Sequence, residues 1–297
     1  MENLFSIISK NTSSDNSCSR LFHGRGNRYL DYEHIVVDFY PPVLLITLYK
    51  DKPNTEEFLQ EVLSFPAENI LVQKRYLPRP EWIVLKGALP NSSIAQEGGM
   101  KFELALGTFQ NIGFFLDMAR GREWLLKNSK DKRVLNLFSY TCSLSVAALK
   151  GGAYEVYNFD MSKAALSVGQ KNHRLNDIDQ KKVKFMPFDI MKSWSKVTKP
   201  GPYDIIIIDP PTNQGDSFKV ERDYYKIVKR LSEMTSENAI VLACLNSPYL
   251  KSDFLAQLFS EHASGFEFLE IIPSAFAEME IDVEAGLKIL LFKKRGG

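Results

Sequence analysis

The feature that most constrains the fold is an alternation of short apolar segments with helical segments, which begins near Arg133. Tyr203–Ile208 is the most apolar segment, and its four consecutive isoleucines are typical of a strand buried on both faces of a parallel sheet. The predicted strands are Arg133–Ser139, Glu155–Phe159, Val183–Met186, Tyr203–Ile208 and Ala239–Cys244, and the predicted helices are Ser143–Lys150, Ser162–Asn176, Asp223–Met234 and Ser252–His262. This alternation predicts an α/β fold with a doubly wound parallel sheet. Two final strands without a full helix between them, Phe266–Ile272 and Leu287–Lys293, predict an antiparallel edge.

The first hundred residues follow a different pattern and predict a small α+β module. Its predicted strands are Tyr29–Phe39, Pro42–Lys50, Asn69–Tyr76 and Glu81–Gly87, and its predicted helix is Asn54–Phe65. The polar segment Asn11–Ser19 predicts a flexible lead-in. We therefore expect a small N-terminal domain over residues 1–98, with residues 1–19 flexible, and an α/β domain over residues 99–297.

Charge and cysteine content exclude several classes of protein. Among 297 residues, 37 are Lys or Arg and 36 are Asp or Glu, so the net charge of +1 is unlike that of a general polyanion binder. The three cysteines and four histidines do not cluster at the spacing of metal ligands, so we expect neither a metal site nor a disulfide framework. We find no apolar segment of membrane-spanning length and no signal peptide, and we therefore expect a cytoplasmic protein.

Ligands of an open α/β sheet bind at the carboxyl ends of its strands, so the residues after each strand are the first candidates. The first strand leads into the loop Asn136–Ser143, which is rich in hydroxyl groups but lacks the Gly-rich pattern GxGxxG. A dinucleotide pyrophosphate needs those glycines for close backbone approach, which argues against NAD or FAD. A ligand without phosphates could use this loop.

Two acidic residues follow the second and third strands, and each has two interpretations. Asp160 could accept hydrogen bonds from both ribose hydroxyls, or it could cap the helix that begins after Met161. Asp189 could accept a hydrogen bond from an adenine amino group, with Phe188 or Ile190 against the ring, or it could also be a helix cap.

The residues after the fourth strand, Asp209–Thr212, are the most specific local signal. The two prolines fix φ and remove backbone donors, so the turn is stiff. A turn of this kind can hold an amino group or a ring edge beside a reactive methyl group, and we favour this function over a purely structural turn. The candidate catalytic residues are Asp209, Pro210, Pro211 and Thr212.

Several motifs together carry a resemblance to a known family. The segments are Asn111–Arg120, Val134–Ala153 (VLNLFSYTCSLSVAALKGGA), Asn158–Asp160, Asp209–Thr212 and Phe218–Tyr225. In combination they resemble the class I S-adenosylmethionine-dependent methyltransferases of the RlmI and RlmK/L type, which modify large-subunit ribosomal RNA. The resemblance implies a Rossmann-like domain with a mostly parallel seven-stranded sheet and an antiparallel C-terminal strand, preceded by the small α+β domain.

The resemblance also implies S-adenosyl-L-methionine as cofactor and assigns its contacts. The loop after the first strand would line the methionine moiety, Asp160 the ribose and Asp189 the adenine, and Asp209 would face both the methyl group and the target base. The implied cofactor-binding residues are Phe115, Asp117, Arg120, Asn136, Phe138, Ser139, Tyr140, Thr141, Asp160, Met161, Phe188, Asp189, Ile190 and Asp209.

Two departures from the family pattern bear on the reaction. Cys142 stands where the family usually has glycine, and a side chain there would crowd the carboxylate end of the cofactor. Asn246 stands where the cytosine-C5 branch has its nucleophilic cysteine, and we interpret Cys244 as a core residue. We therefore predict methylation of a guanine nitrogen of large-subunit rRNA. The alternatives are a cytosine-C5 or small-molecule methyltransferase, or a silent RNA-binding relative.

Basic residues near aromatic ones predict an RNA surface, although a solvated basic loop would look the same. Arg20–Arg28 contains no acid, and Lys74 and Arg75 lie beside Tyr76. Tyr224, Tyr225 and Phe218 are candidates to stack on the target base, because no aromatic residue follows Thr212 directly. The predicted RNA-binding residues are Arg25, Arg28, Lys74, Arg75, Tyr224, Tyr225 and Asn246.

Overall fold

The computed structural model describes residues 3–12 and 15–296, which form two compact units. The division falls between Leu116 and Asp117, and the short segment Glu278–Asp282 lies with the first unit.

The first unit is built on a five-stranded sheet in the order β1-β2-β3-β4-β5. Its strands are β1 (Ser19–His23), β2 (Ile35–Tyr40), β3 (Val43–Leu48), β4 (Asn69–Lys74) and β5 (Glu81–Lys86), followed by the hairpin of β6 (Ser93–Glu97) and β7 (Met100–Leu104); its helices are α1 (Leu4–Lys10) and α2 (Asn54–Val62). Strands β3 and β4 pair in parallel because α2 connects them, whereas the other pairs are antiparallel. Ile46, Phe58 and Phe65 belong to the buried core between the sheet and its helices.

The amino terminus differs from the expectation of a flexible lead-in over residues 1–19. Leu4, Ile7 and Ile8 are buried on one face of α1, and Asn3 caps that helix by accepting a hydrogen bond from the Ser6 amide. Residues 1, 2, 13 and 14, which belong to the same expectation, lie outside the described residues. The strand expected over Tyr29–Phe39 begins only at Ile35, because Asp31 adopts a left-handed conformation with φ of 73°.

The second unit contains a seven-stranded sheet in the order β10-β9-β8-β11-β14-β16-β15. The strands of this sheet are β8 (Arg133–Leu137), β9 (Glu155–Phe159), β10 (Val183–Met186), β11 (Tyr203–Ile208), β14 (Thr235–Leu245), β15 (Phe266–Ile272) and β16 (Lys288–Lys294), and a separate hairpin consists of β12 (Asn213–Gln214) and β13 (Phe218–Lys219). The helices of the unit are α3 (Ala119–Asn128), α4 (Ser143–Lys150), α5 (Lys163–Leu175), α6 (Trp194–Thr198), α7 (Val220–Val228), α8 (Leu231–Met234) and α9 (Ser252–His262). Only β16 runs antiparallel to its neighbours in this sheet. The predicted fold class is confirmed.

The centre of this sheet fixes where a ligand can bind. Ile205–Ile208 of β11 lie between β8 and β14 and are buried, each side chain contributing roughly 1.5–3 kcal/mol through removal from water. The strand order reverses between β8 and β11, and the crevice beyond the carboxyl ends of such a pair is the usual ligand site of an open α/β sheet.

The two units divide later in the chain than the predicted boundary between residues 98 and 99. Gly98 and Gly99 form the turn of the β6–β7 hairpin, and both have left-handed φ angles, 54° and 76°. A boundary there would separate two paired strands, so the hairpin stays with the first unit. In the part of the chain that the structure describes, every helix is too short or too polar to cross a bilayer.

Candidate active site

A cleft lies at the carboxyl ends of the central strands of the second unit. The cleft is narrow and partly open to solvent. The residues that line it are Phe138, Asp160, Met161, Asp189, Ile190, Met191, Gln214, Ser217 and Phe218. Five of these, Phe138, Asp160, Met161, Asp189 and Ile190, were predicted as cofactor-binding residues from the sequence. The structure therefore brings both candidate carboxylates to one cavity.

Asp160 lines the cleft and is not the cap of α5, because the Ser162 hydroxyl takes that role by accepting a hydrogen bond from the Ala165 amide. Its Oδ1 accepts a hydrogen bond from the Ser162 amide at 2.8 Å, and its Oδ2 accepts one from the Tyr140 amide at 2.8 Å. Each carboxylate oxygen can accept a second hydrogen bond, so these backbone contacts leave capacity for a ligand's hydroxyl groups. The same contacts fix the carboxylate and the loop after β8 relative to each other.

Asp189 also lines the cleft and caps a short helical turn. Its Oδ1 accepts a hydrogen bond from the Met191 amide at 2.9 Å, and the Lys192 ammonium lies 3.5 Å from its Oδ2. Of the two apolar candidates beside it, Ile190 lines the cleft. The Phe188 ring instead lies beneath the Lys196 ammonium, 3.4 Å from the ring centroid, and is not part of this wall.

The loop after β8 has an unusual backbone conformation. Phe138, Tyr140 and Cys142 all have positive φ angles, 58°, 47° and 63°, and residues with a side chain rarely adopt this region. Backbone bonds hold the loop, since the Ser139 amide donates to the Phe159 carbonyl and the Cys142 amide donates to the Ser139 carbonyl. Strain of this kind, roughly 1–3 kcal/mol per residue, is typical of binding sites that the surrounding structure holds in place.

Cys142, which was expected to crowd the carboxylate end of the cofactor, is not among the residues that line this cleft. It is fully buried against Gly169 of α5, where an added Cβ would lie 2.6 Å from the Cys142 Sγ. Gly169 therefore provides the space for the Cys142 side chain. Burial also raises the pKa of the Cys142 thiol well above its usual value, which keeps it protonated.

We expect Gly169→Ala to destabilise the protein although alanine is the better helix former. A clash with Sγ costs about 1–3 kcal/mol, against about 1 kcal/mol gained in helix propensity. Thermal unfolding should show a lower melting temperature for Gly169→Ala alone. In the Cys142→Gly background the same substitution should be neutral or stabilising. An equal loss in both backgrounds would show that the contact with Cys142 is not the cause.

Asn136 was predicted to contact the cofactor, and the structure instead places its side chain in a buried polar chain. Its Nδ2 donates to the Asn158 Oδ1 at 2.9 Å, and Asn158 in turn donates to the Ser145 hydroxyl at 3.0 Å. The Ser145 hydroxyl lies 2.9 Å from the His173 Nε2, whose ring is fully buried. Burial lowers the pKa of His173 to about 4, so the ring is neutral at physiological pH. This series of hydrogen-bonded side chains joins β8, β9, α4 and α5.

The remaining loop residues contribute through their backbone and packing. Ser139 and Thr141 are buried, and the Thr141 carbonyl accepts a hydrogen bond from the Asn172 Nδ2 at 2.9 Å. Tyr140 is half-buried and binds Asp160 through its amide.

Asp209 lies directly after β11, where the environment makes its carboxyl group easier to protonate. Burial raises its pKa to about 7, the negative charge of Asp117 contributes in the same direction, and Arg122 and a hydrogen bond with Cys244 oppose the shift. The residue as a whole is half-buried, and it does not line the cleft described above. A group with a pKa near 7 can both accept and release protons at physiological pH.

Arg122 was not predicted from the sequence. It is fully buried on α3, close enough to Asp209 to influence its pKa. It lies in the first turn of α3, a helix that begins beside Asp117, and the motif of the resemblance that includes Asp117 ends at Arg120. Arg120 itself is half-buried. Phe115, grouped with Asp117 and Arg120 in the prediction, belongs to the first unit and is 43% exposed.

The turn after Asp209 is tied to the loop that follows β14. Pro210 is buried and Pro211 is exposed, and the Thr212 hydroxyl donates a short hydrogen bond to the Asn246 carbonyl. Asn246 is exposed beside this turn. The predicted catalytic turn and the predicted substrate residue Asn246 therefore lie together.

Two of the predicted RNA-binding residues cannot stack on a base as expected. Tyr224 is fully buried, and its hydroxyl lies 3.4 Å and 3.2 Å from the carbonyls of Ile208 and Cys244. The ring of Tyr225 packs against His262, at the end of α9 farthest from the carboxyl ends of the parallel strands. Both predictions missed that α7 places its aromatic residues against the sheet and α9.

The four other predicted RNA-binding residues belong to the first unit. Lys74 pairs with Glu81 at 2.9 Å, and Arg28 donates to the Glu280 carbonyl at 3.1 Å. The guanidinium groups of Arg25 and Arg75 both lie over the ring of Tyr49, a residue that the sequence analysis did not single out.

The fold and the cleft together define a class I S-adenosylmethionine-dependent methyltransferase architecture. The sequence profile of the S-adenosylmethionine-dependent methyltransferases matches residues 19–293, and the chain belongs to this family. The resemblance inferred from its motifs is confirmed.

Relatives and solved structures agree with this assignment. A protein named ribosomal RNA large subunit methyltransferase K/L from Pseudoalteromonas translucida (strain TAC 125) is 33% identical over 227 residues, which cover 70% of this chain and 32% of that protein. One of the same name from Shewanella sp. (strain MR-4) is 39% identical over 168 residues, covering 54% and 23%. The chain thus spans about a third or less of these curated relatives.

Among solved structures, SMU.776, described as a methyltransferase and complexed with SAH, superimposes with a TM-score of 0.84 at 23% identity, covering 95% of this chain and 76% of that one. A SAM-dependent methyltransferase from Agrobacterium tumefaciens gives a TM-score of 0.67 at 20% identity, covering 88% and 87%. At these identities the similarity shows the shared fold.

Proposed function

We propose that this chain transfers a methyl group from S-adenosylmethionine to a base of RNA, and more specifically to a guanine nitrogen of large-subunit ribosomal RNA. The observation that carries the proposal is the carboxyl group of Asp209, held at the base of the stiff turn after β11 with a pKa near 7. The names of the curated relatives support RNA as the substrate. A protein acting on ribosomal RNA would work in the cytoplasm.

The cleft residues suit the cofactor that the family implies. S-adenosylmethionine, when bound, supplies a methyl group on a positively charged sulfur. Asp160 would accept hydrogen bonds from the ribose hydroxyls, and Asp189 would accept one from the adenine amino group with Ile190 against the ring.

Asp209 would act on the nucleophile. A guanine amino group loses a proton when it gains a methyl group, and the Asp209 carboxylate can orient that group and receive the proton. The stiff turn limits the freedom of this carboxylate, and positioning in line with the donor is the main requirement of methyl transfer. The exposed Asn246 beside the turn would contact the target base.

Two alternatives are disfavoured by specific observations. Cytosine-C5 methylation needs a thiolate, yet the Cys244 thiol is fully buried, and burial together with the negative charge of Asp209 raises its pKa well above the usual value. A silent relative was suggested by Cys142 in the cofactor loop, and its side chain instead packs against Gly169.

Mass spectrometry of rRNA nucleosides from cells lacking this protein tests the proposal. We expect one methylguanosine of large-subunit rRNA to disappear and to return with the wild-type chain but not with Asp209→Ala. Unchanged methylguanosine together with a lost 5-methylcytidine would support the cytosine mechanism. Unchanged nucleosides of both kinds would contradict an rRNA substrate.

A further inference from the structure

The first unit contains a cavity whose walls are basic and aromatic. It encloses about 780 Å³ of empty space open to solvent, and its lining residues are Arg25, Asn27, Glu33, His34, Tyr49, Lys50 and Lys52. Three of these side chains are cationic and one is anionic. Of these residues, only Arg25 was predicted from the sequence to bind RNA.

The charges of the cavity leave an excess of positive charge. Glu33 pairs with Lys52 at 2.8 Å, and this hydrogen bond lowers the pKa of Glu33 to about 2, so the pair stays ionised and neutral overall. Burial and the nearby charge of Lys52 lower the pKa of His34, which keeps its ring uncharged at neutral pH. Arg25 and Lys50 therefore supply the net positive charge of the cavity.

The two arginines are held near one aromatic ring by the local backbone. The guanidinium carbons of Arg25 and Arg75 lie 4.6 Å and 5.6 Å from the ring centroid of Tyr49, within the range of cation–π attraction. Gly24 lets the turn that carries Arg25 pack closely, because a Cβ there would lie 1.9 Å from the Tyr32 carbonyl oxygen. Arg75 is further fixed by its bond to the Asn111 Oδ1 at 3.1 Å.

A buried polar atom in the cavity wall also lacks a partner. His34 is 1% exposed, and its Nε2 lies 2.8 Å from the Thr55 hydroxyl. Its Nδ1 has no hydrogen-bond partner among the residues that the structure describes. Buried polar groups are nearly always paired, so an unpaired one in a cavity wall points to a ligand or an ordered water.

We propose that Arg25, Arg75 and Lys50 around Tyr49 form a subsite for the phosphodiester backbone of single-stranded RNA. A guanidinium group binds two phosphate oxygens at once, and two such groups beside one ring repel each other until an anion lies between them. Tyr49 keeps both groups in position when no RNA is bound. This inference rests on the proposed function for its ligand, since that function makes RNA the substrate.

Binding of a fluorescein-labelled, uridine-rich RNA of twelve nucleotides to the full chain, followed by anisotropy over a series of salt concentrations, tests the subsite. Each of Arg25→Ala, Lys50→Ala and Arg75→Ala should weaken binding about fivefold at 0.1 M salt and reduce the log–log salt slope by about 0.7, the effect of one lost phosphate contact on a single strand. Lys199→Ala removes an equal charge from an exposed site after α6 and should change neither quantity. S-adenosylmethionine binding and the melting temperature should be unchanged in all four variants.

Two results would overturn the subsite: no measurable RNA binding by the wild-type chain at 0.1 M salt, or cavity variants that bind like Lys199→Ala. Neither result would change the outcome of the nucleoside analysis, so the proposed methylation could still be correct. Conversely, variants that lose RNA binding while rRNA nucleosides are unchanged in cells lacking the protein would support the subsite and refute the proposed reaction.

Discussion

Replacing Asp209 by alanine is expected to lower kcat/KM for RNA methylation by about 100-fold or more, the usual range for removing a general base. The reason is geometric as well as electrostatic. The carboxyl group lies directly after β11, ahead of Pro210, and burial with the charge of Asp117 tunes its pKa to about 7. Initial rates with radiolabelled S-adenosylmethionine and unmodified rRNA measure the effect.

The pH dependence of the same reaction follows from the direction of that shift. Only the carboxylate form can accept a proton from the base, and Asp209 becomes protonated as the pH falls through 7. We therefore expect kcat/KM to be constant above about pH 8 and to fall about tenfold per unit below pH 7. Asp209→Asn keeps a hydrogen-bond acceptor but cannot titrate, so its residual activity should not depend on pH in this range.

Asp204 provides a matched control because it lies at the opposite end of the same strand. Its carboxylate accepts hydrogen bonds from the Arg133 amide at 2.8 Å and the Ser236 hydroxyl at 2.6 Å, which are structural contacts. Asp204→Asn should lower the melting temperature and leave the pH profile unchanged. A wild-type profile without an acidic limb, or one that Asp209→Asn retains, would exclude Asp209 as the proton acceptor.

The parts of the fold that the sequence predicted well are those with strong local patterns. Glu155–Phe159, Val183–Met186 and Tyr203–Ile208 have the predicted bounds because a short apolar segment between polar residues allows few registers. The rule that ligands bind at strand ends placed Asp160 and Asp189 at the same edge of the sheet, and both residues line one cleft.

The residues that the sequence misplaced depend on tertiary packing. The orientation of α7 decides that Tyr224 is buried and Tyr225 faces α9, and a list of aromatic residues does not contain that information. Asn136 lies in a strand interior and pairs with Asn158 of the neighbouring strand. Nothing local to either residue distinguishes such a pair from a ligand contact.

Part of the wall of the cleft could not be predicted from the sequence either. Gln214 and Phe218 belong to the two-residue strands β12 and β13, and Ser217 lies in the turn between these strands, which are too short to give a periodic signal. Phe218 packs against Phe138 with ring centroids 4.9 Å apart, so a hairpin that the sequence did not predict closes one side of the predicted site.

Asp160→Asn is expected to weaken binding of S-adenosylmethionine by about 10- to 100-fold. A hydrogen bond to a charged group contributes about 1.5–3 kcal/mol, and an amide can accept through only one of its two terminal atoms. Its Oδ1 and Oδ2 already hold the Ser162 and Tyr140 amides, so the substitution also loosens the strained loop after β8. Isothermal titration calorimetry measures the affinity, and melting curves with and without cofactor measure the accompanying stabilisation.

Asp179→Asn separates the loss of a helix cap from the loss of a ligand contact. Asp179 caps a short helical turn through a 2.9 Å hydrogen bond from the Lys181 amide, the same kind of contact that Asp160 makes with Ser162, but it is exposed and does not line the cleft. We expect Asp179→Asn to bind cofactor like the wild type. If both variants bind equally well, Asp160 serves only to hold the Ser162 and Tyr140 amides, and the ribose would have to be held by other residues of the cleft.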